Sequence, residues 1–130
     1  MGERRTPLPT EAELELLGVL WARGPSTVRE VLDALGPARG VGYTTVLKQL
    51  QIMHGKGLVV RDERARSHVY APAAEERATQ RRLVSDLAQR AFGGSAARLV
   101  LNALTGPAAT AEERAEIRSL LERMEREEEP

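Results

Sequence analysis

Thr44, Thr45, Lys48 and Gln51 fall within one short stretch, with Tyr43 just ahead of them. Two hydroxyls, an amine and an amide can hydrogen-bond to base edges and phosphates without steric trouble. Their spacing matters as much as their type. Val46, Leu50 and Met53 recur at i, i+4 and i+7, the period of a buried helical face, and this turns Thr44, Thr45, Lys48 and Gln51 outward with Tyr43 at the mouth. Ile52 also points outward on this wheel, towards a thymine methyl or a neighbouring element. Lys56-Gly57 closes the helix. Leu58-Val59-Val60 and His68-Val69-Tyr70 then read as two strands around a polar turn, Asp62 to Ser67, that carries Arg64 and Arg66; the second strand ends before Pro72. A helix followed at once by a basic-tipped hairpin suggests a winged helix, in which the helix enters a groove of double-stranded DNA and Arg64 and Arg66 touch the flanking backbone.

Two further helices must hold that one in place. Met1 to Pro9, charged and Pro-bearing, reads as a loose arm. Thr10 and Glu13 have the spacing of a capping box, and Leu14, Leu17 and Trp21 share a face, which makes Trp21 a core anchor. Gly24-Pro25 stops this helix, Thr27 and Glu30 offer a second box, and Val28, Val31, Leu32 and Leu35 form the next stripe before Gly36-Pro37. Two short helices joined by a glycine-containing turn, with the hairpin behind them, complete a helix-turn-helix.

After Pro72 the pattern is helical throughout. Ala74 to Phe92 carries Leu83 and Leu87 on its stripe; Ser95 can cap Ala96 to Leu104, which is apolar almost all round through Leu99 and Leu101 and is therefore expected to be buried on most sides. Thr110 and Glu113 give a third box, ahead of Ile117, Leu120, Leu121 and Met124 at i, i+3, i+4 and i+7. Such short segments form too little core alone, so a homodimer is expected to bury them and to place two recognition helices on the half-sites of a palindromic operator. The expected architecture is mainly α: a winged helix-turn-helix over residues 8–72, with three helices and a small β-hairpin wing, then a helical dimerisation domain over residues 73–130.

Charge supports the division. The chain of 130 residues is neutral overall, yet from Gly36 to Tyr70 six basic residues (Arg39, Lys48, Lys56, Arg61, Arg64, Arg66) face only Asp62 and Glu63, a net +4. From Ala71 onward nine basic residues face eleven acidic ones, a net −2. Absent cysteine removes disulfides, thiolate metal sites and a cysteine nucleophile. No glycine-rich phosphate loop, G-x-S-x-G or metal-ligand spacing appears, so no enzyme, metal or cofactor is expected. No apolar run is long enough to span a bilayer, which points to a cytoplasmic protein.

The motifs Leu8 to Trp21 (L-P-T-E-A-E-L-E-L-L-G-V-L-W), Thr27 to Val31, Gly42 to Val46, Lys56 to Val59 and His68 to Tyr70, with the Phe92 to Ser95 break, resemble the penicillinase repressor (BlaI/MecI) family of winged-helix regulators. The resemblance implies a homodimeric repressor on a palindromic operator, often TACA/TGTA-like, with a membrane sensor protease upstream in members that control β-lactam resistance. Release in those members comes from cleavage at an Asn-Phe bond; the matching candidate site here is Asn102 followed by Ala103, a departure from that pattern. Relatives also commonly carry an arginine where Ile52 stands, between Gln51 and Met53. Two other functions fit the same sequence less well: a small-molecule-responsive winged-helix regulator, and a winged-helix module used only for protein contacts. The +4 segment argues against the second.

Overall fold

The computed structural model describes residues 6–128, so the start of the expected arm and the last two residues of the acidic end lie outside the described residues. By contact density the chain forms two compact units, one up to Leu83 and one from Val84.

The first unit is built from α1 (Glu11–Arg23), a two-residue strand β1 (Ser26–Thr27), α2 (Val28–Leu35), a 3-10 turn at Pro37–Arg39, α3 (Tyr43–Lys56) and the hairpin strands β2 (Val59–Asp62) and β3 (Val69–Pro72). Both expected capping boxes are formed. Thr10 and Thr27 each accept from the backbone three residues on, while Glu13 and Glu30 reach back to the cap amide. Each pairing satisfies two amide groups that a helix start would leave unbonded. At the other end of α3, Gly57 takes φ +84, where an L side chain is strained, and the Gly57 and Leu58 amides bond back to His54 and Met53. That turn aims the chain from α3 straight into the wing.

Three expectations for this unit need correction. The buried row of α1 is Glu13, Leu16, Leu17 and Leu20, not the row through Leu14, Leu17 and Trp21. Trp21 is only partly buried at the edge of the core, and its indole Nε1 donates to the Ala74 carbonyl at 3.1 Å. A polar ring nitrogen favours this position, where one end is packed and the other finds an acceptor. The hairpin strands start and end one or two residues later than expected, with Pro72 inside β3 opposite Val59. Proline is tolerated there because it is the last residue of the ladder. The arm is not loose over its described part: Pro9 is buried, and the Thr6 carbonyl accepts from Arg82.

The sheet has the antiparallel order β1-β3-β2, with Tyr70 opposite both Ser26 and Arg61. Tyr70, Leu17, Leu20, Val31, Leu50 and Met53 form the centre of one continuous core. Together they bring apolar surfaces from α1, α2, α3 and β3, so the three helices and the sheet are fixed by the same contacts.

The division between units falls inside α4 (Glu76–Ala91). The second unit continues through α5 (Ala96–Thr105), capped by Ser95, to α6 (Ala111–Glu128), whose Thr110–Glu113 box is formed. Here the expected burial of α5 is overturned. No residue of α5 or α6 is buried, and Leu101 is 61 % exposed. A helix apolar on most sides favours cover, and among the described residues that cover is incomplete. Leu87, Leu120, Leu121 and Met124 are likewise exposed, while Leu83, Leu99 and Ile117 are half-buried. Among the described residues no helix is long and apolar enough to cross a membrane.

Candidate nucleic-acid interface

Helix α3 is anchored by Val46, Leu50 and Met53, all at 2 % exposure or less. With that row fixed, the 3.6-residue period leaves Thr44, Thr45, Lys48, Gln51 and Ile52 exposed on the other side. None of the four polar side chains forms an internal hydrogen bond among those described, so their donors and acceptors face outward unspent. Tyr43 opens the helix at 44 % exposure, and the Arg29 guanidinium carbon lies 5.3 Å from the centre of its ring. A cation at that distance is drawn to the ring face and restrains the tyrosine at the mouth of α3.

Arg29 escaped the sequence reading, although a signal was there. Val28 and Val31 face the core, and a residue between them on α2 is turned outward, towards the start of α3. Arg61 was counted as charge and given no role. The pleat explains its placement: it stands two residues after buried Val59 and opposite buried Tyr70, so its stem leaves the core face of the sheet. The Tyr70 hydroxyl and then the Glu63 carboxylate beside the guanidinium raise its pKa above the ordinary value, and neither partners Nε. Glu63 accepts from Nη2 at 3.2 Å.

The wing arginines behave differently from each other. Arg64 folds onto Asp62, with Nη2 to Oδ2 at 2.6 Å, Nε to both carboxylate oxygens, and its own amide to Oδ1 at 3.0 Å. Those Arg64 bonds, side chain first and backbone second, hold the Asp62 carboxyl at about 2, well below the usual carboxylate range. Arg66 is exposed and has no such partner among the described residues. The structure therefore brings Tyr43, Gln51 and Arg66 together around a cleft of about 430 Å³ between α2, α3 and the hairpin. Thr44, Thr45 and Lys48 lie on the exposed face of α3 outside that cleft, and Arg64 lines a separate open surface with Asp62 and Glu63.

Behind the interface, Glu13 links α1 to the far end of α3. Its Oε2 receives Lys56 Nζ at 2.7 Å and its Oε1 the Thr10 amide at 2.9 Å. Burial alone would raise its pKa; the Lys56 bond and the Thr10 amide outweigh burial and leave it lowered.

Residues 9–123 match the penicillinase repressor family. The chain belongs to the penicillinase repressor family. The match takes in the cap of α1, the whole helix-turn-helix, the wing and most of α6, and the family is one of repressors rather than enzymes. The transcriptional regulator BlaI of Mycobacterium tuberculosis, in strains CDC 1551 / Oshkosh and ATCC 25618 / H37Rv, is 37 % identical to the chain over 87 residues, 65 % of this chain. The matched part spans 63 % of the length of those curated relatives. Among solved structures, the monomeric form of Bacillus licheniformis BlaI in complex with the blaP half-operator aligns with a TM-score of 0.48 at 26 % identity, over 55 % of this chain and 88 % of that one. In this family member, Asn102 and Ala103 lie exposed in α5, where Asn102 Nδ2 donates to the Arg98 carbonyl at 2.9 Å.

Proposed function

We propose that the protein is a DNA-binding transcriptional repressor that acts as a homodimer on a palindromic operator. The observation that carries this reading is the division of α3. One side is locked into the core by Val46, Leu50 and Met53, and the other offers Thr44, Thr45, Lys48 and Gln51 with no internal hydrogen bonds among the described residues. A rigid helix with unspent donors, flanked by Arg66, suits the major groove, where base edges present distinct donor and acceptor patterns. Membership of a repressor family and the curated relatives' description as transcriptional regulators point the same way.

In this reading Tyr43, Thr44, Thr45, Lys48 and Gln51 meet the groove, and Arg64 and Arg66 position the wing on the backbone. Residues 73–130 form the dimer through the faces of Leu83 and Leu87, of Leu99 and Leu101, and of Ile117, Leu120, Leu121 and Met124. The exposure of most of these side chains supports it, because a two-fold copy would cover the same patch twice. Release from DNA by a sensor protease would act at the exposed Asn102–Ala103 segment.

Binding to a labelled palindrome from the region upstream of the protein's own gene tests the reading. Affinity is expected to fall steeply with salt, through counterion release, and to exceed that for scrambled DNA. Lys48→Ala is expected to weaken binding about tenfold without changing the oligomeric state. Equal affinity for palindrome and scrambled duplex would overturn the reading.

A further inference from the structure

Thr45, Lys48 and Ile52 stand at i, i+3 and i+7 along α3, all exposed, on the side away from the buried row of Val46, Leu50 and Met53. Ile52 is the apolar member of that outward row, at 47 % exposure. The apolar side chains of α3 that pack on the core are Val46, Leu50, Met53 and the partly buried Leu47, and Ile52 is not among them. Nor does it line the cleft between α2, α3 and the hairpin or the open surface beside the wing. No neighbouring element therefore claims it. One turn further on, at i+3, Gly55 carries no side chain, and no other element of the described chain lies within 4 Å of where its Cβ would stand. Glycine weakens a helix interior, and no packing at that distance asks for it here. Its effect is to leave Ile52 standing clear.

We infer that Ile52 is a specificity-determining residue that reads thymine, its side chain meeting the C5 methyl of one thymine in each half-site of the duplex. This rests on the reading of α3 as the DNA-binding helix. Among the groups that base edges present in the major groove, the thymine methyl is the apolar one. Isoleucine makes no hydrogen bond, so against any other base edge it would displace water from donors and acceptors and return nothing. Its β-branch leaves essentially one χ1 rotamer in a helix, so the apolar surface is rigid and little side-chain freedom is lost on contact. Along the axis Ile52 lies about 6 Å beyond Lys48 and about 10 Å beyond Thr45. A helix lying along the groove presents these three to successive bases, at the spacing by which homeodomain recognition helices place their base contacts. The row thus divides the reading: Thr45 and Lys48 take hydrogen bonds, and Ile52 takes the methyl.

The experiment uses the full chain and the upstream palindrome, with each thymidine in turn, together with its symmetry mate, replaced by deoxyuridine. That replacement removes the methyl and keeps every hydrogen-bonding group. At one position the parent protein is expected to lose affinity about threefold per half-site, about tenfold for the palindrome. Ile52→Ala is expected to bind the thymidine palindrome more weakly by the same factor and to show no further loss with deoxyuridine at that position. Thermal unfolding like the parent's is expected for this variant, because the side chain is exposed. Lys48→Ala is the control: it weakens binding to both duplexes and keeps the methyl effect. A deoxyuridine effect at every position as large in Ile52→Ala as in the parent, or no sensitive position in the parent, overturns the inference. Either result leaves salt-dependent, palindrome-selective binding intact, and with it the DNA reading. Equal affinity of the parent for palindrome and scrambled duplex overturns the DNA reading and this inference together.

Discussion

In the unit up to Leu83, leucines and valines from three helices and a sheet converge until Leu20, Val31, Leu50, Met53 and Tyr70 are almost wholly sealed from water. In the unit from Val84, helices with comparable apolar stripes leave Leu101, Leu120, Leu121 and Met124 about half exposed or more. Both have well-formed caps, so local helix chemistry does not separate them. The difference is topological. The sheet and the α1–α3 arrangement give each apolar face in the first unit a facing surface within the chain, and three successive helices in the second do not. A stripe in a sequence states that a face wants covering; it does not say which molecule provides the cover.

The sharpest way to break that comparison is to truncate one leucine in each unit. Leu50→Ala is expected to cost about 2–5 kcal/mol in denaturant unfolding of the winged unit, because the side chain is fully enclosed and leaves a cavity. Leu101→Ala is expected to move the same transition by less than about 0.5 kcal/mol. Equal losses would mean that the second unit has an internal core after all.

The next test asks what covers the tail. Leu120→Asp is expected to weaken self-association at least tenfold in sedimentation, about 1.4 kcal/mol, with binding to a half-operator retained. A parent protein that sediments as a monomer would remove the second copy as the covering partner.

How far the sequence reached follows the same line. Capping boxes were legible because Thr10–Glu13, Thr27–Glu30 and Thr110–Glu113 act within one helical turn and depend on nothing distant. The two faces of α3 were legible because three strongly apolar residues at regular spacing fix the wheel. In α1 too many apolar residues crowd the stretch, so several rows look alike, and only packing against α2, α3 and β3 selects Leu16, Leu17 and Leu20. Strand β1 is two residues long and exists only because β3 returns beside it, with Tyr70 opposite Ser26 and Val69 opposite Thr27. Among the site residues, exposure was legible and pairing was not: Arg64 and Arg66 look equivalent in sequence, and only the folded turn shows that Asp62 holds one of them. The placement of Arg61 depends on the register of β2 against Tyr70, which no local pattern records.

Within the sealed unit, Glu13 supplies a measurement that the exposed tail lacks. Its folded pKa lies below the ordinary value of 4.5, so it binds fewer protons folded than unfolded. Its contribution is therefore fully present above about pH 4.5 and is lost as pH falls through the lowered folded value. Glu13→Gln is expected to cost about 1 kcal/mol at neutral pH through the weakened bond to Lys56 and to flatten the loss of stability on acidification. An unchanged acid profile would show that Lys56 and Thr10 do not hold the charge on Glu13 in solution.

The smallest expected effect lies at the wing, where exposure and availability part company. Arg64 is 91 % exposed, yet Asp62 engages both its guanidinium and its amide, so its charge is half spent before any DNA arrives. Asp62→Asn removes the competing carboxylate. In the reading of the wing as a backbone contact, duplex affinity is expected to rise about threefold at low salt, with the salt slope steeper by up to about 1 and no change in preference between operator and scrambled DNA. A gain confined to the operator would move Arg64 from positioning to base reading. No gain at all would mean that Asp62 shapes the turn without restraining Arg64, and would leave Arg66 as the wing's contribution to binding.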